Sequence, residues 1–434
     1  MTVIRPSPPS DAREPSGATE PEAPVSVFSD PLFSHVLGAP YLYDPYPALA
    51  SVRERMPVFR SRLGPWVVTS HQLVSAALRH PDLIADPRGS AMYRRYLGAH
   101  RDREFGRQAL SSMQFRDGQE HLRIRRAFAA FLNTADRKAQ HRAWTQEIAC
   151  SLADDLGRTV GPADFVAQFA RRLPALLLCR MLGLPAADAD LLAQMAESLV
   201  AADDPEFLLD ESRHQITARA SVQASRYFGL ALVQRRKHLG DDLLSHLLGG
   251  LEAHDLCSLE ELVVNLIFFA VAGIKTTTDL LGNAVHSLGG CPEVWAQVRV
   301  DRSRVPKLVE ECFRHDSPIQ QTPRFAASAI ELGGTRIEAG AHVMLMLGAA
   351  NRDPAAFADP DRLQPDRLNI RDHVGFGGGA HHCLGSMLAR QEAEAAFEAL
   401  TERFSELRLE AGRQRVVGFT LRGFRRLPVT PVWA

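Results

Sequence analysis

The chain has 434 residues, a formal net charge of −1 at pH 7 and 45% hydrophobic residues. The near-neutral charge argues against nucleic acid as a partner, because nucleic-acid-binding proteins need a basic surface. The hydrophobic fraction is ordinary for a globular protein. The six cysteines form no Cys-x-x-Cys pair, which favours reduced thiols in a cytoplasmic protein over a disulfide framework.

The first 27 residues predict a disordered tail. Up to about Val25 the sequence is rich in Pro, Ser, Ala and Glu, and it lacks the apolar run of a signal peptide or anchor. The longest apolar run, residues 262–273, is interrupted by Asn265 and is shorter than the roughly 20 residues of a membrane span. We therefore expect no membrane partner and one large ordered domain over residues 28–434.

Short strands and a basic loop come next. Residues 58–61 and 65–69 flank Leu63-Gly64 and predict a hairpin, and residues 71–80 predict a helix. Between residues 81 and 115 the hydrophobic periodicity is lost. This loop carries Tyr93, Arg94, Arg95, Tyr96, Arg101 and Arg103. It is either a solvated basic loop or a segment in which one arginine meets an anionic substrate group.

A helix that opens at Asp117 places His121 and Arg125 on one face, because residues at i and i+4 are neighbours on a helix surface. The two side chains can present donors to one anion. The same spacing is common on solvated helices, so it becomes informative only together with the motifs below.

A long helix is predicted from Ser258 to Leu288. Ser258 begins a Ser-x-x-Glu capping box, and a Gly-Gly-Cys-Pro run ends the helix. About 30 residues at about 1.5 Å each would cross a domain. Its centre carries Gly273 and Thr276, although glycine weakens a helix and a threonine hydroxyl can bend one. The pair predicts a groove for a small molecule, unless the kink serves packing alone.

The run from Gly375 to Gly385 places Cys383 between a glycine-rich loop and a helix. Glycines allow a flat ligand to approach the backbone, and a helix N-terminus favours the thiolate over the thiol. A thiolate beside a flat ligand indicates an axial cysteine on haem iron. The alternatives are a turn around an inert cysteine, or a zinc site with His381 and His382, although adjacent residues cannot easily surround a tetrahedral ion.

The pattern Phe-Gly-x-Gly-x-His-x-Cys-x-Gly at residues 376–385 resembles the haem-binding loop of the cytochrome P450 family. The Ala-Gly-Ile-Lys-Thr-Thr run at 272–277 is similar to the family's Ala-Gly-x-acid-Thr-Thr signature, and Asn-Arg-Asp-Pro at 351–354 also matches. The Glu-x-x-Arg at 311–314 resembles a structural pair that a later arginine, here Arg367, completes. The resemblance covers the chain from about Asp44 onward and implies one mostly α domain with small antiparallel β-sheets.

The resemblance implies a role for each matching residue. Cys383 would be the metal ligand of haem b, which is iron protoporphyrin IX. Thr276 would hold dioxygen and relay protons beside Gly273. The other residues expected around the haem are His121, Arg125, Arg324, Phe376, Gly377, His381 and Gly385, with His373 as a further propionate candidate.

Lys275 departs from the family pattern, which usually has Asp or Glu before the threonine as the gate of a proton relay. Three interpretations stay open. Lys275 points to the surface while water relays protons to Thr276, or it pairs with a substrate carboxylate or another acid near the pocket, or the enzyme runs a different reaction. We name Gly273, Lys275 and Thr276 as the catalytic candidates.

These features predict a monomeric haem-thiolate monooxygenase. It would insert one oxygen atom of O2 into a C–H bond of a small organic substrate, in natural-product biosynthesis or catabolism. Because the chain has no flavin or iron–sulfur segment, we expect electrons from a separate ferredoxin and ferredoxin reductase. The alternative is peroxide-driven or rearrangement chemistry, or ligand binding without turnover, and Lys275 is its only support.

Overall fold

The computed structural model describes residues 44–90, 110–200, 204, 211–252, 258–416 and 418–434. The predicted tail over residues 1–27 and the basic loop residues Tyr93 to Arg103 lie outside this part of the chain. The α-helices are α1 (Tyr46–Arg55), α2 (His71–Ala77), α3 (Gly118–Leu132), α4 (Ala135–Arg158), α5 (Arg172–Leu182), α6 (Ala189–Leu199), α7 (Glu211–Lys237), α8 (Leu243–Glu252), α9 (Leu259–Leu288), α10 (Pro292–Val300), α11 (Val305–His315), α12 (Leu347–Ala350) and α13 (Ser386–Arg403).

The strands are short and lie around the helices. They are β1 (Val58–Arg60), β2 (Trp66–Val68), β3 (Leu83–Ile84), β4 (Ala163–Asp164), β5 (Thr322–Ala326), β6 (Ile330–Leu332), β7 (Thr335–Ile337), β8 (His342–Leu345), β9 (Phe404–Leu409), β10 (Gln414–Arg415), β11 (Phe424–Arg426) and β12 (Pro428–Trp433). The largest sheet has the order β1-β2-β8-β5-β3. The β2–β8 pair is parallel, and the other paired strands are antiparallel.

Helix α9 has the predicted length of 30 residues. Its N-cap forms as predicted, since the Ser258 hydroxyl accepts a hydrogen bond from the Glu261 amide at 3.1 Å. The first half of α9, from Leu262 to Ile274, packs into one large hydrophobic core. The second half, from Leu280 to Leu288, packs into another. The five residues between the two cores, 275–279, include a lysine, three threonines and an aspartate, so the polar insert lies where the two cores meet.

A buried ion-pair network holds the helix before the cysteine loop. The Glu311 carboxylate binds the Arg314 guanidinium through two hydrogen bonds of 2.7 and 2.8 Å. The Arg367 Nε atom donates to the same carboxylate at 3.0 Å. Two-point guanidinium–carboxylate contacts are strong and directional. The predicted network is thereby confirmed. Within the described ranges, no helix is long and apolar enough to cross a membrane.

Candidate functional site

The loop before α13 holds Cys383 by its backbone. The Cys383 amide donates to the Phe376 carbonyl oxygen at 2.9 Å, which closes the loop. Gly377 and Gly379 have φ angles of +68° and +64°, a region that side chains disfavour. A Cβ atom on Gly379 would also collide with the Leu78 carbonyl oxygen. The glycine pattern is therefore required by the turn and by its packing against the end of α2.

The thiolate expected at Cys383 stays a prediction. The Cys383 side chain is exposed on one side, yet the protein atoms packed around it raise the pKa of its thiol. Backbone hydrogen bonding at Gly385 and the charges of Arg125 and Arg390 oppose this rise. Helix α13 begins at Ser386, with Gly385 as its N-cap. A bound metal ion would deprotonate a coordinating thiol directly, so metal binding would oppose this rise.

Aromatic and charged groups pack behind the loop. The Phe376 ring lies 4.2 Å from the Phe313 ring, and the Arg390 guanidinium lies 4.3 Å from the Phe376 ring centre. The Glu310 carboxylate pairs with Arg390 and also with the His373 Nε2 atom, at 2.9 Å. The His373 Nδ1 atom accepts from the Gly375 amide at 3.1 Å. The prediction that His373 binds a propionate is therefore wrong, because protein partners occupy both of its ring nitrogens.

Two cationic or potentially cationic groups lie buried near the loop without a carboxylate partner in the described part of the chain. The Nε2 atom of His121 is buried and makes no hydrogen bond. The Arg324 guanidinium donates only to the Thr322 hydroxyl and the Pro323 carbonyl oxygen. Burial lowers the pKa of Arg324 to about 10. Leaving such groups unpaired is costly, so each of the two groups suits an anionic partner.

The other two predicted donors already have protein partners. The Arg125 Nη2 atom donates to the His382 carbonyl oxygen at 2.7 Å, so it ties α3 to the cysteine loop. The His381 Nε2 atom contacts the Asp117 carboxylate at 2.9 Å. The His381 ring also lies 4.1 Å from the His121 ring. The structure therefore gathers these residues beside Cys383 while giving Arg125 and His381 bonds within the protein.

The centre of α9 has an open face beside Gly273. A Cβ atom there would meet no atom within 4 Å. The Thr276 hydroxyl donates to the Ala272 carbonyl oxygen at 2.7 Å, the back-bonding expected of a threonine in a helix. The Thr277 hydroxyl donates at 2.8 Å to Glu392 of α13. This hydrogen bond joins α9 to the helix that follows the cysteine. Burial raises the pKa of Glu392 to about 8.

The interpretation that Lys275 points to the surface is wrong. The side chain is buried and contacts both carboxylate oxygens of Asp279, one of them at 2.5 Å. Asp279 is fully buried, and burial raises its pKa to about 6 although Lys275 opposes the rise. A side chain at position 423 would collide with this carboxylate, so Gly423 makes room for it. Asp279 was not among the predicted site residues, although its i+4 spacing from Lys275 places the two side chains on one helix face.

Comparison with known proteins identifies the family of this chain. The cytochrome P450 family model matches residues 206–416. The chain is 37% identical over 378 residues to mycinamicin IV hydroxylase/epoxidase of Micromonospora griseorubida, a match that covers 85% of this chain and 89% of that protein. The chain belongs to the cytochrome P450 family. It is also 34% identical over 400 residues to 6-deoxyerythronolide B hydroxylase of Saccharopolyspora erythraea, covering 89% and 96% of the two chains.

The P450 fold is equally clear from solved structures. The crystal structure of P450BioI in complex with hexadec-9Z-enoic acid ligated acyl carrier protein matches with a TM-score of 0.83 and 29% identity. The match covers 91% of this chain and 99% of that one. The predicted mostly α fold with small sheets is confirmed, and the protein is a P450 monooxygenase that uses haem, O2 and a small-molecule substrate.

The residues around Cys383 fit a haem. The loop offers one sulfur ligand, His121 and Arg324 offer unpaired groups for anionic propionates, and the face of α9 beside Gly273 is open. Haem thiolate proteins use one axial cysteine and hydrogen-bond donors at the rim of the macrocycle. Cys383 would hold the iron, and His121 and Arg324 would hold the propionates.

Proposed function

We propose that this P450 inserts one oxygen atom of O2 into a C–H bond of a small organic substrate in natural-product biosynthesis or catabolism. We further propose haem b as its cofactor, a monomeric state, and electrons from a separate ferredoxin and ferredoxin reductase. The observation that carries the proposal is Cys383 on its closed glycine loop, together with the open face of α9 at Gly273. Two relatives support hydroxylation, since they are named as hydroxylases of mycinamicin IV and of 6-deoxyerythronolide B.

The protein's own residues position O2 and the substrate, and they move protons. A cysteine-ligated haem, when bound, supplies dioxygen activation, and the thiolate's electron donation favours O–O cleavage. Gly273 leaves room on α9 for O2 and substrate. The Thr276 hydroxyl donates to the Ala272 carbonyl oxygen in this structure, and by rotation about its side chain it could donate into the open space beside Gly273 instead. The proton it gives must be replaced from a neighbouring group.

The Lys275–Asp279 pair is the nearest ionised pair along the helix to Thr276. We propose that the ammonium and the carboxylate together replace the single acid of the usual signature, since one donates protons and the other accepts them. The pair is buried, so it can exchange protons only through local rearrangement or water. This interpretation removes the main reason to expect peroxide-driven chemistry or ligand binding without turnover.

Cysteine replacement tests the proposed function. We expect Cys383→Ala to abolish the haem-thiolate absorption spectrum and all product formation, because no other described cysteine lies on the loop. The matched control Cys150→Ser changes a half-buried cysteine of α4, outside the loop, and should keep both. The assay supplies a surrogate ferredoxin and reductase, a substrate library and isotopically labelled O2. One labelled oxygen atom in the product supports monooxygenation, whereas product from peroxide alone contradicts the ferredoxin proposal.

Threonine replacement tests the proton role of Thr276. Thr276→Ala should lower the product formed per electron pair by about tenfold or more, because relayed proton transfer typically contributes a factor of this order or larger. The electrons then leave as peroxide. Thr278→Ala is the matched control, since the Thr278 hydroxyl makes the same back-bond, to Ile274 at 2.7 Å. Equal coupling in the wild type and Thr276→Ala would contradict the role.

A further inference from the structure

Arg390 of α13 lies over the Phe376 ring, and the chemistry proposed above does not use it. Its guanidinium carbon is 4.3 Å from the ring centre, a distance at which a cation is attracted to the face of an aromatic ring. The Phe376 carbonyl oxygen also accepts the hydrogen bond of the Cys383 amide, at 2.9 Å. A positive charge therefore lies beside the residue that closes the loop around the sulfur ligand.

The guanidinium of Arg390 is held at all three of its nitrogen atoms. The Nε and Nη2 atoms donate to the two carboxylate oxygens of Glu310 on α11, Nη2 at 3.2 Å. The Nη1 atom donates to the Ser386 carbonyl oxygen at the start of α13, at 3.3 Å. A two-point contact between a guanidinium and a carboxylate fixes both distance and orientation. These bonds keep the charge of Arg390 in one place over the Phe376 ring.

Glu310 is in turn held by His373. The His373 Nδ1 atom accepts from the Gly375 amide, so in the neutral ring the hydrogen lies on Nε2. This Nε2 atom donates to the Glu310 carboxylate at 2.9 Å. Burial alone would raise the pKa of Glu310, but the hydrogen bonds from His373 and Arg390 lower it to about 2. Glu310 therefore stays a carboxylate, and Arg390 keeps its partner at every pH at which the protein is studied.

The charge of Arg390 acts on the sulfur of Cys383 although Arg390 is paired with Glu310. Burial raises the pKa of the Cys383 thiol, and the positive charges of Arg125 and Arg390 oppose this rise. Adding one electron to a thiolate-bound haem makes the iron and its ligands more negative by one charge. A nearby positive charge stabilises the more negative state, and the groups around a metal ligand tune the potential of the metal in this way.

We propose that Arg390 is a positioning residue behind the Cys383 ligand, held by Glu310 and His373, and that its positive charge raises the reduction potential of the bound haem. The inference rests on the proposed haem site and concerns the first electron that the ferredoxin would deliver. A higher potential makes this electron easier to accept. The same charge draws electron density from the thiolate, so Arg390 also sets how strongly the sulfur donates to the iron.

A potentiometric titration of the substrate-free holoprotein measures this effect, and the two members of the pair should shift the potential in opposite directions. Arg390→Gln removes the positive charge and leaves Glu310 ionised. The equilibrium constant for reduction should then fall by about tenfold, which is about 59 mV for one electron. Glu310→Gln removes the negative charge and keeps Arg390, so the constant should rise by a similar factor. A structural disturbance alone would move both variants in the same direction, and that result would overturn the proposal.

Two further variants separate the charge of Arg390 from its shape and from its helix. Arg390→Lys keeps the charge without the two-point contact, so its potential should lie closer to the wild type than to Arg390→Gln. Arg403→Gln is the matched control, because Arg403 lies on the same helix, about 20 Å further along at about 1.5 Å per residue, and pairs with Asp154. Its potential should equal that of the wild type. An Arg390→Lys potential equal to that of Arg390→Gln would contradict a role for the charge.

The haem-thiolate absorption spectrum separates this inference from the proposed function. Variants that keep the spectrum and the wild-type potential would refute the role of Arg390 and leave the haem site standing. A wild-type protein that never shows the spectrum would refute the haem site, and this inference with it. If Arg390→Gln fails to fold, Glu310→Gln decides alone: a raised potential supports the proposal, and an unchanged or lowered one rejects it.

Discussion

Asp279→Asn is expected to lower the free energy of unfolding by about 3–5 kcal/mol, the usual cost of removing one partner from a buried ion pair. The Lys275 ammonium would then remain buried between two hydrophobic cores without a counter-ion. It can escape that cost only by losing its proton. The destabilisation should therefore shrink as the pH rises.

Lys275→Met is expected to produce a similar loss with the opposite pH dependence. The pKa of Asp279 is already raised to about 6 by burial, and Lys275 is the first group that opposes the rise. Without the lysine, this pKa rises further. An acid whose folded pKa lies above its unfolded value stabilises the fold as the pH falls. The defect of Lys275→Met should thus be largest near pH 8 and shrink toward pH 6.

The double variant Lys275→Met/Asp279→Leu completes the cycle. It removes both charges together, and such replacements of buried pairs are often neutral or stabilising. We expect its stability to lie within about 1–2 kcal/mol of the wild type. The measurement is urea unfolding at several pH values. Single variants that each cost less than about 1 kcal/mol with no pH dependence would show that the Lys275 head reaches water.

Local signals predicted the long helices and turns of this fold well. The capping box at Ser258 and the Gly-Gly-Cys-Pro stop predicted α9 to within a residue, because both act within a few residues of the helix end. The cysteine loop was predicted for the same reason, since its glycine pattern is required by local φ angles. These features depend on neighbours in sequence.

The interpretations that failed depend on partners far along the chain. Lys275 is buried because Gly423, just before β11, leaves space for Asp279. His373 is hydrogen-bonded to Glu310 of α11. Helical spacing can predict that two residues share a face, but it cannot predict which distant segment covers that face.

Between pH 7 and pH 5, six groups with shifted pKa values are together expected to lower the unfolding free energy by about 4 kcal/mol. The loss comes from four buried or half-buried histidines whose folded pKa values lie below the ordinary value of 6.5. Burial lowers the pKa to about 4 for His141, His286 and His342 and to about 3 for His315. Below about pH 6.5 the unfolded chain binds these protons and the folded chain does not, so stability falls with pH.

Two buried acids limit this loss. Burial raises the pKa of Glu392 to about 8 and that of Asp279 to about 6. Their folded forms bind protons more tightly than their unfolded forms, so between pH 7 and pH 5 they increase the unfolding free energy by about 4 kcal/mol. The four histidines together cost about 8 kcal/mol over the same range. The net loss is a large share of the 5–15 kcal/mol that stabilises a typical domain.

His141 offers the sharpest test of this prediction, because both of its ring nitrogens are buried without hydrogen bonds and its ring lies near Phe131 and Trp144. His141→Phe removes the titrating group and suits these aromatic neighbours, so about 2 kcal/mol of the acid loss at pH 5 should vanish. Replacing the exposed His238 by glutamine should leave the profile unchanged. If His141→Phe and wild type lose stability in parallel under urea from pH 7 to pH 5, then His141 already binds its proton in the folded chain.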